Sequence, residues 1–303
     1  MTKRDFLTLL DCTPVELKAL IARAIELKAL QKRGELYEPL KNKTLAMIFE
    51  KSSTRTRVSF EVAMAQFGGH ALFLSPRDTQ LGRGEPVADT ARVLGRMVDA
   101  IMVRNHSHAV QVELAQHSAV PVINGLSELH HPCQVLADMQ TWYEHRGDMA
   151  GKTVAWIGDG NNMCHSYIQG TALFGYKLRI ASPKAYQSDS GILKSAQGQA
   201  VLAESPQDAA RGADLIVTDV WASMGDEGEQ QKRAEAFLAY QVNASLFKLA
   251  AKDAVFMHCL PAHRGEEVSA EVIDGSRSIV WDEAENRLYA QKALLEFLLT
   301  RSH

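Results

Sequence analysis

Short apolar runs alternate with stretches of helical spacing along most of this chain, and that alternation restricts the fold more than any other feature. Leu45–Phe49, Ala71–Leu74, Ala100–Val103 and Val120–Ile123 are the runs of the first half. Arg57–Phe67, Val87–Met97 and Ala109–Gln116 lie between them with helical periodicity. A run that is apolar on both faces suits a strand buried on both sides, as in a parallel sheet covered by helices. Ahead of these runs, Leu17, Leu20, Ile21, Ala24, Ile25, Leu27 and Leu30 recur at helical spacing. They follow Thr13-Pro14-Val15-Glu16, where Thr13 caps, Pro14 takes the first helical position and Glu16 completes a capping box. Gly34 ends that helix.

A long helical stretch, Gln134–His145, leads to Arg146-Gly147-Asp148, and then the pattern restarts. Thr153–Ile157, Lys177–Ala181, Leu215–Val220, Ala254–His258 and Ser278–Trp281 read as strands. Met163–Phe174 reads as a helix, Ser205-Pro206-Gln207-Asp208 as a helix start, and Ala284–Leu299 as a closing amphipathic helix. The expectation is α/β: two similar-sized domains, each a parallel sheet flanked by helices, joined near Leu136–His145. A length of 303 residues suits about two domains. A net charge of −3 gives no overall basic field for nucleic acid. No apolar stretch approaches a membrane span, and the opening MTKRDFLTLL is too quickly polar for a signal peptide. Cys12, Cys133, Cys164 and Cys259 are widely spaced with no CxxC, which fits reduced thiols in a cytoplasmic protein.

Ligands of open parallel sheets gather at the carboxyl ends of strands, so those ends carry the functional reading. After Phe49 comes Glu50-Lys51-Ser52-Ser53-Thr54-Arg55-Thr56-Arg57. A helix starting near Thr54 would aim free N–H groups and its positive dipole end at that loop. Ser53 and Thr56 add hydroxyls, and Arg55 a planar fork that suits phosphate. The plain alternative is an ordinary Ser/Thr cap with solvated arginines. Without glycines this is not a Walker loop. Arg104 follows Val103, where a solvated strand terminus is the plain alternative. After Asn124-Gly125-Leu126 stand His131 and Gln134, three apart across Pro132. Both are placed to donate to one carbonyl oxygen that gains negative charge, or else to form a turn with a capping His.

In the second half, Gly158-Asp159-Gly160-Asn161-Asn162 resembles the first turn of a dinucleotide fold but lacks the third glycine, since Met163 stands there. Asn162, near the helix start, is placed to grip a carboxylate. Asp219 ends an apolar strand and faces a pocket or caps the next segment, Val220-Trp221-Ala222-Ser223-Met224-Gly225. Asp226–Arg233 is a charged run that reads as a solvated face or a lid. His258-Cys259-Leu260-Pro261 invites a metal or nucleophile reading, but zinc needs about four ligands and no second paired cluster is visible. A packing thiol is the plain alternative. Pro261 suggests a special peptide geometry, cis among the options.

Taken together, Ser53-Thr54-Arg55-Thr56-Arg57, His131-Pro132-Cys133-Gln134, Asp219 with Ser223-Met224-Gly225, and His258-Cys259-Leu260-Pro261 resemble the aspartate/ornithine carbamoyltransferases, in the family's order and spacing, from about Phe6 to Leu299. The last two motifs resemble the ornithine branch. The resemblance implies a carbamoyl phosphate-binding domain over 1–135, with a C-terminal helix, 285–303, packing back on it. It implies an ornithine-binding domain over 136–284 and an active site in the cleft between the two. By the same resemblance Ser53, Thr54, Arg55, Thr56, Gln80, Arg104, His131, Gln134 and Arg287 bind carbamoyl phosphate. Asn162, Asp219, Ser223, Met224, Cys259 and Leu260 bind L-ornithine, and Arg104, His131, Asp219 and Cys259 are the catalytic set. Gln80 matches a loop that reaches a neighbour's site, which implies a homotrimer or a multiple of trimers. Neither metal nor organic cofactor is implied. Cys133 departs from the family's usual Thr or Ile.

Three other readings remain open on the residues. One is a carbamoyltransferase for another amine or for aspartate, although Asp219 would repel a second carboxylate. The second is a nicotinamide-binding oxidoreductase built on Val154–Gly160, although Ala181-Ser182-Pro183 offers no acidic residue after the next strand. The third is a catalytically silent scaffold member.

Overall fold

The computed structural model describes residues 3–77, 79, 84–222 and 229–300. The chain divides into two compact units, Met1–Gln140 with Glu285–His303, and Thr141–Ala284. The elements of the first stretch are α1 (Pro14–Lys32), β1 (Thr44–Phe49), α2 (Thr54–Gln66), β2 (His70–Leu74), α3 (Val87–Leu94), β3 (Ala100–Arg104), α4 (His108–His117), β4 (Val122–Leu126) and α5 (Pro132–Arg146). Then come β5 (Thr153–Ile157), α6 (Asn162–Phe174), β6 (Lys177–Ala181), α7 (Ser190–Ser195), β7 (Ala200–Leu202), α8 (Pro206–Ala210) and β8 (Leu215–Thr218). The chain closes with α9 (Gln230–Phe237), α10 (Ala244–Phe247), β9 (Val255–His258), α11 (Ala270–Ile273) and α12 (Val280–Leu299).

Both sheets are parallel. The first has strand order β2-β1-β3-β4 and the second β7-β6-β5-β8-β9. The apolar runs of the central strands β1, β3 and β5 are buried on both faces, as a helix-covered parallel sheet demands, whereas the edge strand β2 has no buried residue. In the first unit Ala46, Ile48, Ile101 and Val103 pack against Ala91, Leu114 and Ala115 of the covering helices. Leu45, Met47 and Phe49, which alternate with them, are buried as well. In the second unit Ala155, Ile157, Ile216 and Phe256 pack under Ala209, Leu246, Phe247 and Val272.

The start of α1 forms the expected reciprocal cap: the Thr13 N–H donates to Glu16 Oε2 at 2.9 Å, and the Glu16 N–H to Thr13 Oγ1 at 3.3 Å. The stretch Ser278–Trp281 differs from the sequence expectation. Only Ser278 bridges to Phe256, and helix α12 begins at Val280. Asp282 and Glu283 lie in its first turn, where negative charge favours helix over strand. Strand β7 has no counterpart among the expected strands because it is short and its Val201 and Leu202 face solvent.

Helix α12 follows the second unit in the chain yet belongs to the first from Glu285 onward. Arg23 of α1 makes a two-pronged pair with Glu296, at 2.7 and 2.9 Å. Lys292 donates to Gln66 of α2 at 3.0 Å. Asn286 Oδ1 receives both Lys28 Nζ, at 2.7 Å, and Gln140 Nε2, at 3.1 Å. Asn286 is fully buried, and these contacts fix the residue next to it, Arg287. Among the described residues no helix is long and apolar enough to cross a membrane.

Candidate functional site

Each sheet has one place where successive crossovers depart in opposite directions, and such a switch point opens a crevice at the carboxyl strand ends. In the first sheet it lies between β1 and β3, whose last residues Phe49 and Arg104 are register partners. In the second it lies between β5 and β8. Described residues singled out in the sequence, among them Arg55, Arg104, His131 and Asp219, collect at these two places.

In the first unit, α2 begins at Thr54 with Ser53 as its cap. The Thr56 N–H donates to Ser53 Oγ at 3.3 Å, and the Ser53 hydroxyl donates to Thr56 Oγ1 at 3.1 Å. The remaining N–H groups of that first turn carry the helix's partial positive charge. Arg104 is buried, 6% exposed, so the solvated-terminus reading of that residue fails. Arg287 is 3% exposed. It donates through Nη2 to Thr56 Oγ1 at 3.2 Å and through Nη1 to Gln134 Oε1 at 2.6 Å. It thereby ties α12 to the first turns of α2 and α5.

His131, just before α5, is buried at the same place. Its pKa is driven well below the usual histidine value, first by burial and then by the positive charges of Arg287, Arg104 and Arg55. The imidazole is therefore neutral at pH 7. Three guanidinium groups thus converge on one uncharged ring beside a helix N-terminus. That arrangement suits a doubly charged anion and polarises a carbonyl placed against it. Arg57 takes no part: its fork pairs with Glu61 at 2.9 Å and lies over the Phe73 ring.

Gln134, expected from the sequence as a second donor to a carbonyl oxygen, is held by two neighbours: its amide oxygen accepts from Arg287 Nη1 at 2.6 Å and its amide nitrogen donates to Asp138 Oδ1 at 2.8 Å. Cys133 is buried, donates to the Asn124 carbonyl at 3.3 Å, and burial pushes its thiol up to about 12. It is a packing residue.

In the second unit, Asp219 follows β8 directly and is mostly buried. It accepts three hydrogen bonds, from Asn161 Nδ2 at 2.8 Å, from the Val220 N–H at 2.8 Å, and from Cys259 Sγ at 3.1 Å. Three donors suit a carboxylate, which has only acceptors to offer. Asn161 also caps α6, its Oδ1 accepting from the Met163 and Cys164 N–H groups. Motif order points to Asn162 and passes over Asn161; the signal that could have found it is an Asn in the cap position before a helix. Gly160 is there for packing, because a Cβ would stand 2.2 Å from the Ser188 backbone nitrogen.

The end of β9 is held from behind. His258 Nδ1 accepts from the Leu260 N–H at 2.9 Å, so Nε2 carries the proton and donates to buried Glu267 at 3.0 Å. The His258 N–H donates to Glu283 at 2.9 Å. Leu260 sits at φ 58°, in the left-handed region, and its bond to Pro261 is cis. Cys259 is half-exposed, and the other three thiols are buried. Asp219, His258 and Cys259 offer three metal-type donor atoms within 4.8 Å of one another, a juxtaposition that chain spacing did not announce. Both imidazole nitrogens, however, already serve protein partners. Nearby, Arg233 of α9 pairs with Asp159 at 2.8 Å and donates to the Trp221 carbonyl at 2.9 Å.

Of the residues expected at the site, Arg55, Thr56, Arg104, His131, Gln134 and Arg287 gather in the first unit, with Ser53 and Thr54 opening α2. Asp219, Cys259 and Leu260 gather in the second, and Asn162 opens α6. Gln80, Ser223 and Met224 lie outside the described residues.

Comparisons with known proteins cover the whole chain. Residues 4–144 match the family model described as aspartate/ornithine carbamoyltransferase, carbamoyl-P binding domain, and residues 150–298 match the Asp/Orn binding domain. An ornithine carbamoyltransferase of Hydrogenovibrio crunogenus is 63% identical over all of both chains. The anabolic ornithine carbamoyltransferase of Pseudomonas aeruginosa is 58% identical, covering 100% of this chain and 99% of its own. The solved ornithine carbamoyltransferase of Pyrococcus furiosus superposes with a TM-score of 0.94 at 48% identity, covering 100% of each chain.

Proposed function

Because the chain belongs to the aspartate/ornithine carbamoyltransferase family, we propose that it transfers the carbamoyl group of carbamoyl phosphate to the side-chain amine of L-ornithine, giving L-citrulline and phosphate. Carbamoyl phosphate is assigned to the first unit and ornithine to the second. The observation that carries this reading is the convergence of Arg55, Arg104 and Arg287 on neutral His131 beside the N-terminus of α2.

The chemistry follows from charge. A side-chain amine with a pKa near 10.4 is protonated at pH 7, and freeing its lone pair costs about 4–5 kcal/mol. Asp219 holds the α-ammonium and orients the far end of ornithine, with Asn161 and Cys259 fixing the carboxylate. Burial and the nearby cations lower the pKa of the other amine until it sheds its proton. The free amine attacks the carbonyl carbon directly. The Arg104 guanidinium, the His131 ring and the Thr56 hydroxyl stabilise the tetrahedral oxyanion. Collapse breaks the C–O bond while the extra proton on the attacking nitrogen passes to the departing phosphate oxygen, and the resulting phosphate dianion is received in the Ser53–Thr56 turn by Arg55 and the helix dipole. Holding two substrates in line supplies much of the remaining acceleration. Cys259 stands beside the reacting amine and tunes its proton state, with no acyl-enzyme. Ser223, Met224, Asn162 and Leu260 complete the ornithine contacts in this reading, and Gln80 reaches a neighbouring site within a trimer. We assign the protein to the cytoplasm, in keeping with four widely spaced cysteines and no CxxC. We read the physiological direction as citrulline synthesis, in line with the word anabolic in the name of the Pseudomonas aeruginosa relative.

The test is a citrulline-type assay with carbamoyl phosphate and, in parallel, ornithine, putrescine and aspartate. Ornithine is expected to be carbamoylated with the highest kcat/KM. Turnover of putrescine or aspartate far above ornithine rejects the assignment. Sedimentation of the purified chain as a monomer rejects the trimer.

A further inference from the structure

Asp138 is a fully buried carboxylate in the first unit that the transfer itself does not use. It stands one helical turn after Gln134 on α5, and its Oδ1 accepts the Gln134 amide nitrogen at 2.8 Å. On the other side, Arg287 Nη1 donates to the Gln134 amide oxygen at 2.6 Å. A guanidinium has only donors to offer and a carboxylate only acceptors. The two neighbours therefore leave the amide one orientation. Turned over, it would set NH2 against guanidinium and oxygen against carboxylate, and both bonds would be lost in a buried place. Thr56 and His131 share this place with Gln134 through Arg287.

We propose that Asp138 is a positioning residue that selects the donor: it holds the Gln134 oxygen toward the transferred group, so that the site takes a carbamoyl NH2 and refuses the isosteric methyl of an acyl phosphate. The inference rests on the carbamoyl-transfer reading above. A carbonyl oxygen accepts two hydrogen bonds, so the atom that meets Arg287 also suits an amide N–H. A methyl in that place leaves the oxygen facing carbon. Sites built to hydrogen-bond a substrate N–H reject analogues that lack it far more strongly than apolar pockets reject a missing methylene.

Two stable phosphonates differ only in this group: phosphonoacetamide carries NH2 where 2-oxopropylphosphonate carries CH3. Isothermal titration of both into the full-length protein reads the selection directly. The wild type is expected to prefer the amide by about 100-fold. In Asp138→Asn the new side chain can offer either oxygen or NH2 to Gln134, and the preference is expected to fall to about 10-fold or less. Binding of 2-oxopropylphosphonate should change by less than about threefold, which separates this role from general loosening. An unchanged preference in Asp138→Asn overturns the proposal, and so does parallel weakening of both ligands. If that variant does not fold, Gln134→Met, with Asp138 in place, must lose the preference; retention overturns the proposal. Wild-type binding of the two phosphonates with equal affinity overturns it and leaves carbamoyl transfer standing. Binding of neither rejects the transfer reading and this inference together.

Discussion

The two units place their functional residues by the same topological rule and give them opposite charge. In the first, the switch point between β1 and β3 receives the start of α2 and three guanidinium groups. In the second, the switch point between β5 and β8 receives the start of α6, where Asn161 Oδ1 already takes two N–H groups. Asn161 then turns its amide nitrogen to Asp219, so this half presents a carboxylate. Both helix ends carry the same partial positive charge. What differs at the caps is that Asn161 satisfies two of those N–H groups where Ser53 takes one. Topology thus decides where a ligand sits, and the charged side chains gathered there decide the sign of what it meets.

If the halves divide the labour this way, removing a charge from one should leave the other's ligand nearly untouched. The largest effect is expected for Arg55→Ala. Losing a charge-assisted contact to a dianion should weaken phosphonoacetamide binding on the order of 1,000-fold, about 4 kcal/mol. Titration calorimetry checks this, and a loss under tenfold would mean that Arg55 is a solvated cap neighbour after all. Asp219→Asn should raise the KM for ornithine on the order of 100-fold while phosphonoacetamide binds within about threefold of wild type. If both variants damaged both ligands alike, the division between the halves would be wrong.

The smallest effect sharpens the electrostatics of the first half. His131 is held neutral in the native state, whereas in the unfolded chain it titrates near 6.5. Below that pH the unfolded state takes up a proton that the native state refuses, so stability rises with pH and falls on acidification. The slope is at most about 1.4 kcal/mol per pH unit. His131→Gln should therefore lose about 1 kcal/mol less than wild type between pH 6.5 and 5.5. Urea midpoints at the two pH values give the comparison; equal losses would place a charged imidazole in the native site.

Much of the fold was legible because buried parallel strands leave near-continuous apolar runs such as Thr44–Phe49 and Thr153–Ile157. Strand β7 was not legible, since a short exposed edge carries no such run. In the site, Arg55, His131 and Asn162 could be named from motif order, but the cap that Asn161 makes on α6 and its bond to Asp219 could not, because only tertiary geometry shows them. The cluster of Asp219, Cys259 and His258 joins residues that the crossover from β8 to β9 brings together.

By itself the sequence determined the alternation of strand and helix, the caps that start α1 and α2, and the polar residues available at each strand end. These are local matters of periodicity and hydrogen-bonding chemistry. Only the tertiary structure decided that Arg287, distant along the chain at the far end of the sequence, donates to Gln134 and Thr56. It also decided that Asp138 turns the Gln134 amide and that the His131 ring is uncharged. Orientation and protonation depend on burial and on neighbours distant in the chain, and a linear order of residues specifies neither.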